Sequence, residues 1–259
     1  MYSTQQQVQI QRKGRATDMS SKDPVEIWSR PEQSSAGRQP EHSRASIVQA
    51  ALALADEAGL GAVSIRKVAA SIGAGAASLY RYVKSHDELI ELMLDAISGE
   101  YRLDPEPGGA GQTPGGRLLG LARQGRDIMK RHPWSAPLLL SDPALGPNSL
   151  AYLDHALSIM AATNLGAAAK LRTVAMLTAV TSAFVQNELA ATDVPGRSAR
   201  DAAVRAGYLG QAAASGKYPS LAATLGEGPQ PEQPDEVFTQ IIATYLAGAG
   251  LPVDPEREV

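Results

Sequence analysis

Apolar residues recur at helical spacing along most of the chain, and the clearest case is a pair of short helices predicted over 64–71 and 75–82. Gly73 lies between them and suits a helix that ends in a residue with positive φ. The inward-facing residues of the pair are Ile65, Val68 and Ile72 in the first helix and Leu79 and Val83 in the second. A supporting helix, a tight glycine turn and a second helix predict a helix-turn-helix.

Two longer amphipathic helices flank this pair. The first is predicted over 43–59, with Ser43 or Ser46 as its N-cap. The second begins at Ser85 and runs to about Arg102, with two acidic residues in its first turn, where negative charge suits the helix dipole. The apolar faces consist of Ile47, Ala50, Ala51, Leu54 and Ala58 in the first helix and Leu89, Ile90, Met93, Leu94 and Ile97 in the second. The helices together predict a head domain over 41–102.

A segment rich in glycine and proline interrupts the helical pattern, so we expect a linker and a domain boundary over 103–116. A larger helical domain is predicted over 117–250, with a frayed tail at 251–259. Its helices are expected over 116–131, 148–162, 166–191, 198–214 and 235–249, and the proline-rich segments at 132–147 and 215–234 are expected to be loops. The helix over 166–191 is apolar around most of its girth, which predicts burial on more than one side. No strand alternation occurs, so the predicted fold class is all-α.

Residues 1–40 are polar and biased in composition, which predicts a disordered tail. Lys and Arg exceed Asp and Glu there by six to four. This excess fits either a solvated tail or an arm that adds phosphate contacts. Val25, Ile27 and Trp28 are an apolar exception that can dock on the rest of the protein, and Met19 is a candidate for the true start.

Composition narrows the class of protein. Of the 259 residues, 44% are hydrophobic and 5% aromatic, which suits a helical core. The net charge of -3 means that any nucleic-acid contact must come from a local patch. The absence of cysteine excludes disulfides and thiolate metal sites. There is no signal-peptide core and no uncharged apolar run of ~18 residues, so we expect a cytoplasmic protein with no membrane partner.

A local positive patch lies on the predicted helix-turn-helix. Between Leu60 and His86 there are four cations, Arg66, Lys67, Arg81 and Lys84, and no acid. Phosphate contacts of such cations give affinity and register, whereas base edges give specificity. Ala76 and Ala77 allow close approach of the backbone and contact with a thymine methyl group. The hydroxyl groups of the same segment belong to Ser78, Tyr80 and Tyr82. The turn, the apolar spacing and the acid-free face together favour DNA binding over an ordinary bundle with surface charges.

Residues 43–102 resemble the N-terminal domain of the TetR family of transcriptional repressors. The matching string is IVQAALALADEAGLGAVSIRKVAASIGAGAASLYRYVKSHDELIELML, and SLYRYVKSHDEL is its most specific part. The second domain, with RHPW and the helices near 166–191 and 235–249, is similar in layout to the tetracycline-repressor-like C-terminal domain. Together the resemblance covers about 43–250.

The resemblance implies an all-helical homodimer in which the helices near 166–191 and 235–249 pair in a four-helix bundle. Its implied partners are double-stranded operator DNA and a small-molecule effector, bound in the second domain, that weakens operator binding. The family's DNA-contact positions correspond to Arg66, Ala76, Ala77, Ser78, Tyr80, Arg81 and Tyr82, with Lys84 in the same segment. His86 stands where many members have lysine, which implies a weaker or pH-dependent phosphate contact. The small recognition residues imply slight base readout and more reliance on Arg66 and on DNA shape.

The second domain contains candidate ligand-binding residues, which are either polar groups in apolar surroundings or large side chains. They are Trp134, Tyr152, Met160, Met176, Thr178, Thr181, Phe184 and Asn187, together with His155 and Gln186. Ordinary core packing competes with ligand binding as the explanation for each of them. His132 and His155 lack the paired spacing of a zinc site, so we expect no metal and no cofactor. Neither a hydrolase motif nor a nucleotide-binding loop occurs, so we expect no catalytic residue and no enzyme activity.

We therefore expect a ligand-responsive transcriptional regulator. Its most direct form is a repressor that binds a palindromic operator as a homodimer and is released by a small-molecule effector. One alternative is a helical small-molecule-binding protein or enzyme with a vestigial DNA-binding head, which turnover without DNA affinity would favour. Another is an activator or an architectural DNA-binding protein, which an operator assay with polymerase would distinguish.

Overall fold

Helices account for all regular secondary structure in the part of the chain that the structure describes, and the all-α prediction is confirmed. The computed structural model describes residues 24–29, 42–103, 113–141, 144–192, 197–228 and 233–253. Most of the predicted polar tail, most of the predicted linker and the chain beyond residue 253 lie outside these ranges.

In the part of the chain that the structure describes, a short helix precedes a head of four α-helices. These elements are α1 (Pro24–Ser29), α2 (Arg44–Ala58), α3 (Ile65–Ser71), α4 (Ala76–Leu79) and α5 (His86–Ser98). Ser43 caps α2 as predicted, in a reciprocal capping box with Ser46. Serines also cap α3 and α5, where Ser64 accepts from the Lys67 amide at 3.3 Å and Ser85 from the Glu88 amide at 3.0 Å.

The head differs from the sequence prediction in three details. Helix α4 is one turn long, because the chain passes into turns at Tyr80–Tyr82. Helix α5 ends at Ser98 rather than near Arg102, and Gly99 follows it. The buried residues of α2 include Val48 and Leu52, whereas the predicted Ala58 is exposed. The larger side chains take the inner positions because they remove more apolar surface from water.

Seven helices form the described part of the body. They are α6 (Pro114–Arg131), α7 (Ala136–Ser141), α8 (Pro147–Ile159), α9 (Ala167–Thr192), α10 (Arg197–Ala214), α11 (Pro219–Gly226) and α12 (Pro234–Gly248). Helix α6 begins inside the predicted linker, with Thr113 as its N-cap. Helices α7 and α11 lie where the sequence predicts loops, so that prediction is wrong for both. Their prolines lie in the first turn, where a missing N–H removes no helical hydrogen bond.

Two main hydrophobic cores hold the fold, and the first crosses from the head into the body. The head core joins residues of α2 to α5 with Ile128, Trp134 and Ala144 of the body. The body core lies between α6, α8, α9 and α12, around Met160 and Phe238. The head is therefore packed against the body through shared apolar contacts.

Among the polar contacts between the described parts of the head and the body, two groups involve acidic side chains of the head. In the first group, His132 caps α6, with Nδ1 2.8 Å from Asp56 Oδ1 and Nε2 2.9 Å from Glu100 Oε1. Trp134 Nε1 donates to the same Asp56 oxygen at 2.7 Å. Burial would raise the pKa of Glu100, but hydrogen bonds from Arg131 and His132 and their charges outweigh it and lower the pKa.

In the second group, two buried acids of α5 meet the N-terminal end of α8. Asp95 accepts hydrogen bonds from the Asn148 side chain at 3.1 Å and from the Ser149 amide at 2.9 Å. Glu91 accepts from the Leu145 amide at 2.9 Å. Unpaired buried carboxylates would be costly, so these partners explain why acids are tolerated on the buried side of α5.

The two ends of the body lie together. Thr113 Oγ1, just before α6, donates to the carbonyl oxygen of Pro252 at 3.1 Å. A Cβ atom added to Gly115 would lie 2.3 Å from the carbonyl oxygen of Leu251. Glycine is therefore required where the segment after α12 crosses the start of α6.

Helix α9 is long and apolar enough to cross a membrane, judged by length and composition alone. Within Ala167–Ala191, an 18-residue window has a mean hydropathy of 1.3, and 33% of that window is buried. The core helix of a helical bundle meets the same criteria. The expected burial of α9 on more than one side is wrong for the single chain, because one face carries exposed small and apolar residues, namely Ala168, Leu171, Ala175, Met176 and Ala183.

Candidate nucleic-acid interface and ligand pocket

The helix-turn-helix is held by its apolar residues and by one glycine. Leu79 and Val83 are fully buried, which fixes α4 against the head core. Gly73 has a φ of 70°, and the next amide, of Ala74, donates to the Ala69 carbonyl at 2.8 Å. Positive φ favours glycine here, so the predicted turn has a stereochemical basis.

The predicted DNA-contact residues form a mostly exposed surface. Ala77, Tyr80 and Arg81 of the recognition segment are exposed, as are Arg66 and Lys67 on α3. Ala76, Ser78 and Tyr82 are half-buried, and Ala76 and Tyr82 also pack on the head core. The Ser78 hydroxyl donates to the Gly75 carbonyl at 2.6 Å, so its oxygen accepts more readily than it donates. The predicted residues thus lie on α3 and on the segment from α4 to the start of α5, where Ala77, Tyr80 and the cations are exposed.

Lys84 and His86 each lie beside an acidic side chain. The acid beside Lys84 is distant in sequence, and the acid beside His86 is the next residue. Lys84 Nζ forms an ion pair with Glu26 of α1. His86 Nδ1 lies 3.9 Å from Asp87 Oδ1. The Lys84 amide donates to Glu88 Oε2 at 3.1 Å. The Glu88 side chain therefore turns back and occupies the amide just before α5, so this amide is not open to a phosphate.

The candidate ligand-binding residues divide between the body core, the exposed face of α9 and the joint with the head. Tyr152, Met160, Thr178, Thr181 and Phe184 lie in or beside the body core. Met176 and Asn187 are exposed on α9, so the single chain does not place them in a pocket. Trp134 packs with the head core instead, because the chain after His132 turns toward α2. His155 and Gln186 are half-buried.

Aromatic and hydroxyl groups converge in the body core. The Tyr152 ring lies 4.5 Å from the ring of Tyr101, and burial raises the pKa of Tyr152, opposed by hydrogen bonds with Thr178 and Tyr101. Phe184 and Phe238 meet edge to face at 5.1 Å. The buried hydroxyl oxygen of Thr181 has no hydrogen-bond partner among the described residues. Such a group is suited to take a hydrogen bond from a ligand.

Sequence reasoning missed Arg126, which is the charged centre of the body. Its guanidinium lies over the rings of Phe184 and Phe238, at 5.4 and 5.0 Å. It binds Glu188 of α9 through Nε and Nη2, at 2.7 and 2.6 Å, and Asp235 of α12 through Nη1 at 2.7 Å. Its positive charge and hydrogen bonds outweigh the burial of Glu188 and lower the pKa of that carboxyl, and they lower that of Asp235. The sequence signal for this role is weak, because it consists of a single arginine between apolar residues of a predicted helix.

A cleft of about 420 Å³ opens at the joint between the head and the body. Its walls include Leu60, Pro133, Trp134 and Pro137, with Asp56 at one side. Within the described ranges, no three histidine or acidic side chains lie close enough together to hold a metal ion.

Two family models match the chain. The model described as bacterial regulatory proteins of the tetR family matches residues 47–93. The model of the tetracyclin repressor-like C-terminal domain matches residues 109–249, which is more than half of the chain. The matches cover the helix-turn-helix and the helical body.

Two named relatives share about a third of their aligned residues with this chain. A transcriptional regulator of the helix-turn-helix type from Saccharopolyspora erythraea is 35% identical over 152 residues, which are 59% of this chain and 63% of the relative. The helix-turn-helix transcriptional repressor DrrR1 from Streptomyces coeruleorubidus is 34% identical over 134 residues, which are 52% of this chain and 49% of the relative. The matched part therefore spans between about half and two-thirds of these relatives.

Solved structures agree in fold. The TetR family protein ActR of Streptomyces coelicolor, in complex with actinorhodin, is 27% identical, with a TM-score of 0.64 over 82% of this chain and all (100%) of that one. A possible TetR family regulator from the same organism is 26% identical, with a TM-score of 0.62 over 79% of this chain and 97% of that one. With its helix-turn-helix head and its helical body both matched, this chain belongs to the TetR family of DNA-binding transcriptional regulators.

Proposed function

We propose that the protein is a repressor that binds a palindromic operator as a homodimer and releases it when a small molecule occupies the body. The observation that carries the proposal is the exposed basic surface on α3 and the recognition segment, above a fully buried Leu79 and Val83. The repressor DrrR1 is a named relative. We place the protein in the cytoplasm, where it has access to DNA.

The proposed DNA contacts fall into two groups. Arg66, Arg81, Lys84 and His86 contact phosphates, and Arg66 also reaches a base edge. The uncharged contacts belong to Ala76, Ala77, Ser78, Tyr80 and Tyr82. The two alanines are too small for hydrogen-bonded readout, so sequence preference depends on Arg66 and on DNA shape.

The exposed face of α9 and the adjacent face of α12 form the proposed dimer interface. Leu171 and Met176 of α9 and Ile241 of α12 are at least 40% exposed in the single chain. Small residues on the same exposed face of α9, such as Ala175 and Ala183, allow a second helix to approach closely. A four-helix bundle of two copies removes this apolar surface from water and gives α9 its second buried side.

The proposed effector site lies in the body, beside the paired tyrosines and the Arg126 cluster. Aromatic rings of Tyr152 and Phe184 and the unpaired Thr181 hydroxyl suit a ligand with a flat ring and a polar substituent. ActR, a structural neighbour, is seen with actinorhodin bound. To move the protein from 99% to 1% DNA-competent, the effector must prefer the released state by roughly 10⁴-fold.

The test is binding to duplex DNA from upstream of the protein's own gene, measured by fluorescence anisotropy at several salt concentrations. We expect tight binding that weakens steeply with salt and a two-to-one ratio of chains to operator. A random duplex of equal length serves as the control and should bind more weakly. Absence of binding to both duplexes at low salt would contradict the proposal, and catalytic turnover by such a protein would favour an enzyme with a vestigial head.

A further inference from the structure

Helix α1 is held against both the head and the body. Ile27 is buried in the head core, and its carbonyl oxygen accepts a hydrogen bond from Arg44 Nη1 of α2 at 3.2 Å. Trp28 packs over Gly146 of the body, where an added Cβ atom would lie 2.3 Å from the indole ring. Docking on both sides fixes where α1 points its exposed side chain, Glu26.

Glu26 brings a negative charge to a segment of the chain that has none of its own. The segment from Leu60 to His86 contains no acid, yet Glu26 forms an ion pair with Lys84 across 58 positions of sequence. Both side chains stay more than half exposed, at 57% for Glu26 and 55% for Lys84. An exposed pair of this kind adds little to stability, so stability alone gives no reason for it.

The ion pair competes with a phosphate group for the same ammonium group. A lysine contributes to DNA affinity because it replaces counterions on a phosphate, and a carboxylate already seated on it both occupies the lysine and repels the incoming phosphate. The buried Ile27 holds the carboxylate near by, so it cannot simply diffuse away when DNA approaches.

We propose that Glu26 is a positioning residue for Lys84 that weakens DNA binding, and that α1 is the strap that holds it there. The proposal rests on the proposed function, since it requires Lys84 to meet a phosphate. It assigns Ile27 and Trp28 of the N-terminal tail a role: they hold an acid at the proposed DNA-binding surface.

The test compares Glu26→Gln with the unchanged protein on a fluorescein-labelled duplex of random sequence at low salt, because phosphate contacts do not depend on sequence. We expect Glu26→Gln to bind about three- to tenfold more tightly, with the log–log salt slope steeper by up to ~0.9, the value of one added phosphate contact. Ile27→Ser, which releases the strap, should give a similar gain. In a Lys84→Ala background, Glu26→Gln should give none.

Glu57→Gln is the matched control, because Glu57 is exposed on α2 of the same head. It removes one negative charge, as Glu26→Gln does. It should leave the affinity unchanged. A gain in the Lys84→Ala background, or an equal gain from Glu57→Gln, would show a general charge effect and overturn the proposal. Binding by the unchanged protein without any gain in Glu26→Gln would overturn the role of Glu26 alone. Absence of binding by every variant would contradict the proposed function and the inference together.

Discussion

At the scale of the residue, Tyr80 is an exposed aromatic residue of the recognition segment with a polar hydroxyl. Its side chain is 54% exposed, and its hydroxyl has no hydrogen-bond partner among the described residues. Tyr82, two residues on, packs partly on the head core instead. Of the two tyrosines, Tyr80 is therefore the more accessible, whereas Tyr82 also supports the head.

We expect Tyr80→Phe to weaken binding to operator and random duplex alike by about threefold to tenfold, since one hydrogen bond contributes ~1 kcal/mol. The salt slope should not change, because no charge is removed. Anisotropy titrations at three salt concentrations measure both quantities. Tyr218→Phe is the control, because Tyr218 is equally exposed, at 54%, but lies in the body. An unchanged affinity in Tyr80→Phe would remove this hydroxyl from the proposed contacts.

At the scale of the element, Arg126 ties three helices of the body together. Its side chain is only 8% exposed, and it connects α6 to Glu188 of α9 and Asp235 of α12. The helices that it joins to α6 are the two proposed for the dimer interface. The arrangement of that interface therefore depends on a charge inside each chain.

We expect Arg126→Met to lower the free energy of unfolding by about 2 kcal/mol, less than the ~3–5 kcal/mol of a fully buried pair because Asp235 remains in water. Lys130→Met is the graded control on the same helix, since Lys130 is half-exposed and lies 3.6 Å from Glu188. Its loss should cost less than ~1 kcal/mol. Urea unfolding followed by circular dichroism gives both values, and equal losses would contradict a central role for Arg126.

The same cluster predicts a pH dependence of stability. The pKa values of Glu188 and Asp235 are lowered by Arg126, so their contribution is present above the ordinary carboxyl range and is lost as pH falls through the lowered values. We expect the melting temperature to fall below about pH 4. Arg126→Met should show a shallower fall between pH 5 and 3, and an identical profile in both proteins would contradict the assignment.

The sequence was sufficient for elements whose signals are local. The head helices were predicted from apolar spacing, serine N-caps and Gly73. Each of these signals lies within one or two turns of the helix whose position it indicates. Contacts between distant segments left no such signal, which is why Arg126 and the pairing of Glu26 with Lys84 were missed. Helices α7 and α11 were missed for a different reason, since proline breaks a helix only beyond its first turn.

At the scale of the whole molecule, the exposed face of α9 carries apolar residues that stay in contact with solvent in the single chain. Ala183 lies on this face and is exposed, whereas Ser182 and Val185 are fully buried. The helical turn therefore directs the Ala183 side chain away from the core. A buried charge at a helix–helix interface is costly unless it is paired. A charge placed here should therefore test the dimer without disturbing the core.

We expect Ala183→Glu to convert a dimer into a monomer while the melting temperature measured at low concentration changes little. Analytical ultracentrifugation gives the mass. Ala53→Glu, on an exposed position of α2 in the head, is the control and should stay dimeric. A dimer that survives Ala183→Glu would require an interface elsewhere on the body.

The meeting of Thr113 with Pro252 has a consequence for how the protein can be rearranged. Because the start of α6 contacts the segment after α12, the first and last segments of the body lie side by side. The head precedes α6 in sequence, so it connects to the body at this position. A different head can therefore be fused at this position without changing the order or connections of the body helices. The exchanged head must still present partners to Ile128, Trp134 and the α8 amides, so topology allows recombination while surface complementarity restricts which heads function.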